Sequence, residues 1–267
     1  MKNLIVCICG DQSMHKIWTD KNPNFDLFVV YYGETEGKFA NHGKYYTTSK
    51  GTKFVILADV VERYEEVFAS YDNICIPDDD LYLTAYDWNR FFAIFTAYTL
   101  SIAQPSIMGW QCMMTSAHNP NYILRYTNWV EIMTPCFSQE TFQKCRKTFR
   151  ENRTNWGIDY MWPKLLGYPE DKIAIVDDVV AIHTRPCFFG DTYWRNKNSA
   201  ESAYEEIKDL SKKYEIDLED IVEYGGIKRK RRDYDDRPSE DKFFPNNCEI
   251  MKELIATLRE KRNRAFI

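Results

Sequence analysis

Apolar residues before residue 110 fall into short runs that alternate with stretches of helical spacing. Four runs hold only a handful of apolar residues each and are bounded by Gly, Asn or Pro: NLIVCICG, FDLFVVYYG, NICIPDDD and LSIAQPSI. Buried parallel strands have this pattern. Between the runs, TKFVILADVVERYEEVF and TAYDWNRFFAIFTAYT have the spacing of amphipathic helices, the second capped by Thr84 or Asp87. The alternation predicts an α/β fold in which helices flank a mostly parallel sheet.

The pattern loosens after residue 110 and changes again near residue 196. NWVEIMTPCFS predicts a strand, QETFQKCRKTFRENR a helix, and IAIVDDVVAIH a strand pair or one bent strand. Farther on, SAESAYEEIKDLSKKY predicts a charged helix, GGIKRKRRDYDDRPSEDKFFPNN a polar linker, and CEIMKELIATLREKRNRAF a terminal amphipathic helix. We therefore expect a first domain over residues 1–195 and a charged helical C-terminal extension over residues 196–267.

Composition and charge narrow the class of protein. Hydrophobic residues make up 44% of the 267 positions, which is enough for a sizeable core. The formal net charge of −5 argues against a basic nucleic-acid-binding protein. The sequence has no recognisable signal peptide and no apolar run long enough to span a bilayer. We therefore expect a soluble protein of the cytoplasm, or of another reducing compartment.

The eight cysteines indicate the redox state of the protein. Their spacing contains no C-x-x-C pair, and several of them, such as Cys7, Cys9 and Cys75, lie inside apolar runs. This pattern is typical of reduced, mostly buried thiols and argues against a disulfide framework or a zinc site.

Three consecutive carboxylates, Asp78, Asp79 and Asp80, follow the predicted strand NICIP. Open α/β sheets bind ligands at the carboxyl ends of their strands. Adjacent aspartates repel one another unless a cation or several hydrogen-bond donors neutralise them. In an extended loop, Asp78 and Asp80 face one pocket while Asp79 faces the sheet or its neighbours. The stretch is suited to a divalent cation that also contacts phosphate oxygens; the alternative is a solvated acidic turn.

Several motifs occur in an order that resembles a known family. They are YDNICIPDDDL, SIAQPS, NWVEIMTPCFS, NWGIDYMW and IAIVDDVVAIHTRP, within residues 25–186. Together they resemble a plant and microbial domain family of unknown function with D-x-D, I-[AS]-Q-P, W-V-E-x-M and W-G-[IL]-D motifs. That family in turn resembles glycosyltransferases of the GT-A fold, which have a Rossmann-like nucleotide-sugar domain. The resemblance ends at Arg185, and it makes residues 1–195 the catalytic domain.

The resemblance implies a metal site. The D-x-D aspartates of GT-A enzymes match Asp78 and Asp80, which would bind Mn²⁺ or Mg²⁺ at the nucleotide diphosphate, where the metal stabilises the leaving group. Many members have a late histidine as a further ligand, and His183 in AIHTRP matches it. The alternative for His183 is a strand histidine whose ring bonds to a backbone carbonyl. Neutral imidazole suits manganese better than magnesium.

A general base and an acceptor site are implied by the same resemblance. Asp159 in TNWGIDYMW matches the acidic motif at a helix start in inverting GT-A enzymes, where the helix dipole keeps a carboxylate ionised. The alternative is that Asp159 only caps the helix. Glu131 in WVEIM is the second candidate, as base or as ligand of the acceptor hydroxyl. Trp129 and Trp156 are suited to the apolar faces of sugar rings, although each alone is also typical of a core.

Residues that would bind the nucleotide are harder to identify. The sequence has no Walker glycine loop and no G-x-G-x-x-G, which argues against ATP-loop and dinucleotide enzymes. The family's nucleotide positions match Tyr32 and Gly33 near the first strands and Lys53 at the start of the first long helix, with a solvated lysine as the alternative for Lys53. Asp79 is assigned to the same cofactor site. The basic run 228–232 either contacts an anionic ligand or a membrane surface, or is a solvated linker.

These features predict a metal-dependent, inverting glycosyltransferase that moves a hexose or pentose from a UDP- or GDP-sugar to a glycan hydroxyl. Two alternatives stay open. One is a non-catalytic carbohydrate- or nucleotide-binding module of the same fold, and the other is a metal-dependent nucleotidyltransferase or phosphohydrolase. The released product distinguishes them, since only the glycosyltransferase releases a nucleoside diphosphate from a nucleotide sugar.

Overall fold

The computed structural model describes residues 1–110, 113–151, 153–186, 200–218 and 221–230. Within these ranges, the residues up to Arg229 form one compact unit. It contains a ten-stranded sheet with helices packed against it, so the predicted α/β fold is confirmed. None of the described helices is long and apolar enough to cross a membrane.

Ten strands and seven helices alternate over much of the described chain. The strands are β1 (Asn3–Cys9), β2 (Phe25–Tyr31), β3 (Tyr45–Thr48), β4 (Asn73–Cys75), β5 (Leu81–Tyr82), β6 (Ile102–Gly109), β7 (Tyr122–Thr127), β8 (Cys136–Ser138), β9 (Ile173–His183) and β10 (Glu223–Lys228). The helices are α1 (His15–Trp18), α2 (Lys53–Arg63), α3 (Glu65–Ala69), α4 (Ala85–Ala97), α5 (Gln139–Cys145), α6 (Ile158–Leu165) and α7 (Ala200–Tyr214).

The order of the strands brings several carboxyl ends to one edge of the sheet. The order is β10-β7-β9-β6-β8-β4-β1-β2-β3, and β5 pairs with β9 outside this path. Strands β3, β2, β1 and β4 are parallel neighbours, and β6 is parallel to β9. Because β8 is antiparallel to both β4 and β6, these two strands point the same way. The segments that follow β1, β4, β6 and β9 therefore leave the sheet at the same edge.

The central strands of the sheet are buried on both faces, which explains why they are continuous apolar runs. Along β1, Leu4 and Val6 pack on one side with residues of α2 such as Leu57. The intervening Ile5 packs on the other side with residues of α4 such as Phe91. Helix α4 begins at a capping box in which Thr84 and Asp87 bond to each other's backbone N–H groups, so both predicted caps contribute.

Strand β9 is one bent strand with a bulge in its middle. Pro105 of β6 pairs with Val176, but the next residue of β6 pairs with Val180, so residues 177–179 have no partner in β6. The bulge holds the buried Asp177, which accepts hydrogen bonds from Arg125 Nε at 2.8 Å and Nη2 at 3.1 Å. Asp177 inside this apolar strand thus forms a bidentate ion pair with Arg125 of β7.

Two sequence predictions are corrected by the structure. Of NWVEIMTPCFS, only Cys136–Ser138 forms a strand, and the residues before it form turns and loop. The first residues of the predicted polar linker, 225–228, belong to β10, which pairs antiparallel with β7 and extends the sheet. The predicted terminal helix, and the basic run beyond Lys230, lie outside the described residues. The assignment of catalysis to residues 1–195 alone stays a prediction.

Candidate active site

Four strand ends meet around the Asp78–Asp80 loop. Gly10 follows β1, the loop itself follows β4, Trp110 follows β6, and His183 ends β9. Hydrogen bonds connect these segments: Gly10 N donates to Asp79, His183 to the Trp110 carbonyl, and Thr184 to the carbonyl of Asp80. The edge of the sheet predicted to bind a ligand is therefore built from residues far apart in sequence.

Asp79 binds different groups from its two neighbours, in a loop whose backbone forms a turn at Asp79 and Asp80 instead of the extended conformation considered in the sequence analysis. Its Oδ2 accepts from Gly10 N at 2.9 Å, and its Oδ1 lies 3.2 Å from Arg185 Nη1. Burial raises the pKa of Asp79 to about 7, although the positive charge of Arg185 opposes the shift. Asp79 was predicted to bind the cofactor, but in this structure both of its carboxylate oxygens are bound by protein donors. Asp79 therefore connects the loop to the segments that follow β1 and β9.

Asp80 and His183 form a close pair. The Nδ1 of His183 contacts the carbonyl oxygen of Trp110, and its Nε2 lies 3.3 Å from Oδ2 of Asp80. A carbonyl only accepts, so Nδ1 carries the proton, and the Nε2 of a neutral ring presents a lone pair toward the carboxylate. Two acceptor atoms at this distance repel unless a proton or a metal cation lies between them. Oδ1 of Asp80 is buried and has no hydrogen-bond partner among the described residues.

These features fit a metal ligand pair. Histidines that bind metals almost always donate their other N–H to a carboxylate or a backbone carbonyl, as His183 does to Trp110. The contact depends on Gly109, which has a φ of +94°. A Cβ atom at position 109 would lie 2.5 Å from the carbonyl oxygen of His183, so only glycine allows β6 and β9 to approach this closely at their ends. The ring of His183 is thus bonded to a backbone carbonyl and also faces Asp80, and its role as a metal ligand stays a prediction.

Asp78 is paired with Lys53 at the start of α2. Lys53 Nζ lies 2.6 Å from Oδ1 of Asp78 and also donates to the carbonyls of Ile132 and Met133, at 2.7 and 3.0 Å. All three ammonium protons therefore have protein acceptors, and a phosphate would have to displace one of them. Burial raises the pKa of Asp78 against the opposing charge of Lys53.

The three predicted metal ligands do not all converge. Among the described residues, a set of three or more His, Cys, Asp or Glu ligand atoms within 4.8 Å of one another occurs only at Cys7, Cys9 and His15. Asp80 and His183 are in contact with each other, whereas Asp78 forms an ion pair with Lys53 instead.

The candidate base Asp159 lies in the first turn of α6 and is buried. Burial raises its pKa to about 7, while backbone hydrogen bonds at Ile132, Gly157 and Tyr160 favour the charged form. Its Oδ1 has no hydrogen-bond partner among the described residues. A carboxyl group with a pKa near neutrality can exchange protons at physiological pH, which is suited to a general base as well as to a cap.

One peptide segment connects Asp159 to the aspartate loop. The backbone of Ile132 bonds to Asp159, and its carbonyl accepts from Lys53, which binds Asp78. The second candidate base, Glu131, is also buried in this segment. Charges on Asp159 and Glu131 both help to raise the pKa of Tyr160 to about 12, after the larger effect of burial. The two carboxylates are therefore close to the same tyrosine.

The loop before Asp159 is supported by α7. Glu206 accepts from the backbone N–H of Thr154 at 2.9 Å and from its hydroxyl at 2.6 Å. Gly157, the N-cap of α6, has a φ of +89°, and a Cβ there would lie 3.0 Å from Ile207 Cγ1. The sequence did not predict that this charged helix contacts the loop that carries the candidate base.

The aromatic residues differ from the prediction in their exposure. Trp129 is only 2% exposed and packs against Tyr160, with 6.1 Å between the ring centroids, so its faces are not accessible to a sugar. Trp156 is half-buried. Trp110, which the sequence analysis missed, is 41% exposed directly after β6 and beside His183. Its position one residue beyond a glycine at a strand end was the available signal.

The predicted nucleotide positions lie at the same edge of the sheet. Tyr32 N donates to the carbonyl of Cys9 at 2.9 Å, which connects the end of β2 to the end of β1. The carbonyls of Tyr32 and Gly33 accept from Lys50 Nζ at 2.6 and 2.9 Å. A cavity of about 300 Å³ is found elsewhere, lined by Arg150, Glu151 and Arg153 on one side and by residues of α7 on the other, and none of the predicted site residues lines it.

Comparisons with known proteins identify the fold. Neither a family profile nor a curated protein matches the sequence. The structure of TarS from S. aureus in complex with UDP-GlcNAc superposes with a TM-score of 0.51 and 11% identity, over 79% of this chain and 66% of that one. GalNAc-T7 with UDP, GalNAc and Mn²⁺ superposes with a TM-score of 0.50 and 7% identity, over 80% of this chain and 55% of that one. The chain thus has a GT-A-like fold, and it spans about two thirds or less of these neighbours.

Proposed function

We propose that the protein is a metal-dependent, inverting glycosyltransferase that moves a sugar from a nucleoside diphosphate to a glycan hydroxyl. The observation that carries the proposal is the buried Asp80–His183 pair at the ligand-binding edge of a GT-A-like sheet. Two proteins of the same fold hold uridine nucleotides, in one case with Mn²⁺, which supports a UDP-sugar as donor. A GDP-sugar would satisfy the same chemistry.

Asp80 and His183 would hold Mn²⁺ or Mg²⁺, with Asp78 as a third ligand once it turns from Lys53. The ion supplies Lewis acidity that stabilises the leaving diphosphate. Lys53 and Arg185 place two further positive charges around the aspartate loop. Tyr32 and Gly33, at the end of β2, would contact the nucleoside.

Asp159 would act as the general base. The acceptor hydroxyl loses its proton to Asp159 as its oxygen attacks the anomeric carbon. The bond between that carbon and the diphosphate oxygen breaks, and the nucleoside diphosphate leaves with the electron pair. Attack from the side opposite the leaving group inverts the anomeric configuration. Glu131, buried in the neighbouring segment, is the alternative base or a ligand of the acceptor hydroxyl.

The direct test is product release. The protein is incubated with Mn²⁺ and a panel of UDP- and GDP-sugars, with and without oligosaccharide acceptors. Release of the nucleoside diphosphate supports the proposal, because many such enzymes slowly hydrolyse their donor. Release of pyrophosphate or inorganic phosphate would favour a nucleotidyltransferase or phosphohydrolase. Binding without release of any product would favour a non-catalytic module.

We expect His183→Ala to weaken Mn²⁺ binding more than Mg²⁺ binding, because imidazole is a better ligand for the softer ion. Titration calorimetry with each metal in the presence of UDP measures both affinities. His118→Ala removes another half-buried imidazole, one bonded to Ser106, and should leave both affinities unchanged. Equal and small effects of His183→Ala on the two metals would make His183 a structural residue only.

The exposed indole of Trp110, directly beside His183, would pack against the acceptor sugar, so we expect Trp110→Ala to raise the KM for the acceptor roughly two- to tenfold through loss of an aromatic contact of about 0.5–1.5 kcal/mol. Slow hydrolysis of the donor without acceptor should keep its rate, because this indole is not needed to bind the nucleotide. Trp129→Phe, a conservative change at a buried position, should leave the acceptor KM unaltered. An unchanged acceptor KM in Trp110→Ala would remove Trp110 from the acceptor site.

A further inference from the structure

A second cluster of potential metal ligands lies beside the aspartate loop but shares no residue with it. Cys7 and Cys9 of β1 are two residues apart, so both side chains point to the same face of the sheet. The buried His15 of α1 lies on that face, and one of its nitrogens is within 4.8 Å of both sulfur atoms, which are themselves within this distance of each other. This is a compact arrangement of two thiols and one imidazole.

Each ring nitrogen of His15 has a polar neighbour. Nδ1 lies 2.7 Å from the hydroxyl of Ser13, and Nε2 lies 3.1 Å from Nδ1 of His42. When one nitrogen binds an ion, the other keeps a hydrogen-bond partner that fixes the ring, as metal-binding histidines require. Ser13 Oγ is also 3.8 Å from Cys7 Sγ, so a further oxygen lies at the cluster.

We infer that Cys7, Cys9 and His15 form a binding site for a thiophilic divalent cation such as Zn²⁺. Two thiolates and an imidazole are preferred ligands of Zn²⁺, and the fourth tetrahedral position is filled by His42, Ser13 or water. On binding, the two thiols lose their protons to solvent and the sulfur atoms donate electron pairs to the ion, with no change in oxidation state.

The C-x-C spacing explains why the sequence argued against zinc. Known zinc motifs have two to four residues between the two cysteines and place them around a turn, whereas this pair has one residue between them and lies on a strand. The third ligand comes from a short helix after the strand, and its approach to the sulfur atoms is a property of the fold. The hard ligands Asp78 and Asp80 suit Mn²⁺ or Mg²⁺ instead, so the two sites select different metals.

An ion bound at this cluster would stabilise the backbone around the aspartate loop. Cys9 precedes Gly10, whose N–H donates to the Asp79 carboxylate, and His15 follows Met14, whose N–H donates to the Asp79 carbonyl at 2.8 Å. An ion held by Cys9 and His15 would therefore fix two of the segments that hold Asp79, the third being that of Arg185. The site goes beyond the proposed sugar transfer and does not depend on it.

The test uses Co²⁺ as a spectroscopic probe in the full-length protein after its metals have been removed by chelation. We expect one equivalent of Co²⁺ to give a thiolate-to-cobalt charge-transfer band in the near ultraviolet, and Zn²⁺ to abolish it by displacement. Cys9→Ser should lose at least half of the band. Cys145→Ser, which removes a buried thiol from the opposite core, should keep it. Asp80→Asn should also keep it, so that a failure of the proposed sugar-transfer site is recognised separately.

A measurement on the unaltered protein covers the case in which Cys9→Ser does not fold. X-ray absorption of the zinc-loaded protein should show two sulfur ligands at ~2.3 Å and at least one nitrogen at ~2.0 Å. A parent protein without the charge-transfer band would overturn the inference. So would a zinc spectrum with only oxygen and nitrogen ligands, or a band that survives replacement of both Cys7 and Cys9.

Discussion

Asp159→Asn is expected to lower the rate of sugar transfer at least ~100-fold while donor binding is retained. A correctly placed general base contributes ~10²–10⁴-fold, whereas a helix cap contributes about 1 kcal/mol to stability and nothing to chemistry. Asparagine caps helices well and has nearly the same shape, so the backbone bonds around Asp159 can largely persist. Transfer kinetics and nucleotide titration on the same preparation separate the two roles.

The pH dependence provides a second readout of the same residue. Burial raises the pKa of Asp159 to about 7, and a base must be deprotonated, so transfer should increase as the pH rises through about 7. Stability should change in the opposite sense. Because the folded pKa lies above the ordinary value of 3.8, the favourable contribution of the neutral group is present below that value and is lost as the pH rises to about 7. Asp159→Asn should therefore gain melting temperature relative to the parent between pH 4 and pH 8.

Glu131→Gln is the matched comparison, because both carboxylates are buried near Tyr160. If the rate of sugar transfer falls ~100-fold in Glu131→Gln but not in Asp159→Asn, Glu131 is the general base and Asp159 is not. NMR of the anomeric proton in the transferred sugar is independent of any variant. A product that retains the donor's configuration would exclude an inverting mechanism and leave Asp159 without its proposed role.

Asp80→Asn is expected to reduce metal-dependent donor binding at least ~100-fold without loss of folding. Outer-shell partners of a metal alone contribute ~10–100-fold in affinity, and Asp80 is proposed as a direct ligand. The variant also removes one of three adjacent charges, which relieves repulsion within the loop. Its melting temperature should therefore hold or rise. Calorimetric titration of UDP with and without Mn²⁺ measures the effect, and thermal unfolding checks the fold.

Asp171→Asn serves as the control for Asp80, since Asp171 is an exposed carboxylate in the turn before β9. It should leave the metal dependence of binding intact. If Asp80→Asn binds every tested nucleotide with the parent's Mn²⁺-dependent affinity, the loop is not a metal site. The Asp80–His183 contact would then be explained by a protonated histidine alone.

Local pattern predicted the strands that are buried on both faces, because burial of both faces leaves an uninterrupted apolar run, as in β1 and β2. It missed β10, because EYGGIK is an exposed edge strand with two glycines and little apolar character. Its pairing with β7 is a tertiary contact, and the composition of the segment is typical of a linker. Edge strands of this kind are recognised only when their partner is known.

The candidate site also combines features that follow from local sequence with features that depend on tertiary contacts. The edge of the sheet at which the Asp78–Asp80 loop lies was predictable from the strand pattern, whereas the turn at Asp79 and Asp80 was not. The pairing of Lys53 with Asp78, and the exposure of Trp110, depend on which strand ends become neighbours. Strand order is set by packing over the whole sheet, so no single motif encodes these contacts.

The bulge in β9 sets the register that brings His183 to the aspartate loop. His183 lies opposite Gly109 because residues 177–179 loop out of the pairing with β6. If these three residues paired regularly with β6, Val180 would lie opposite Gly109, and the imidazole would lie about 10 Å farther along the strand. A register shift of a single residue would turn the neighbouring side chain toward Asp80, since the side chains of a strand alternate between faces. The histidine therefore reaches the carboxylate only while the bulge keeps these three residues out of the pairing.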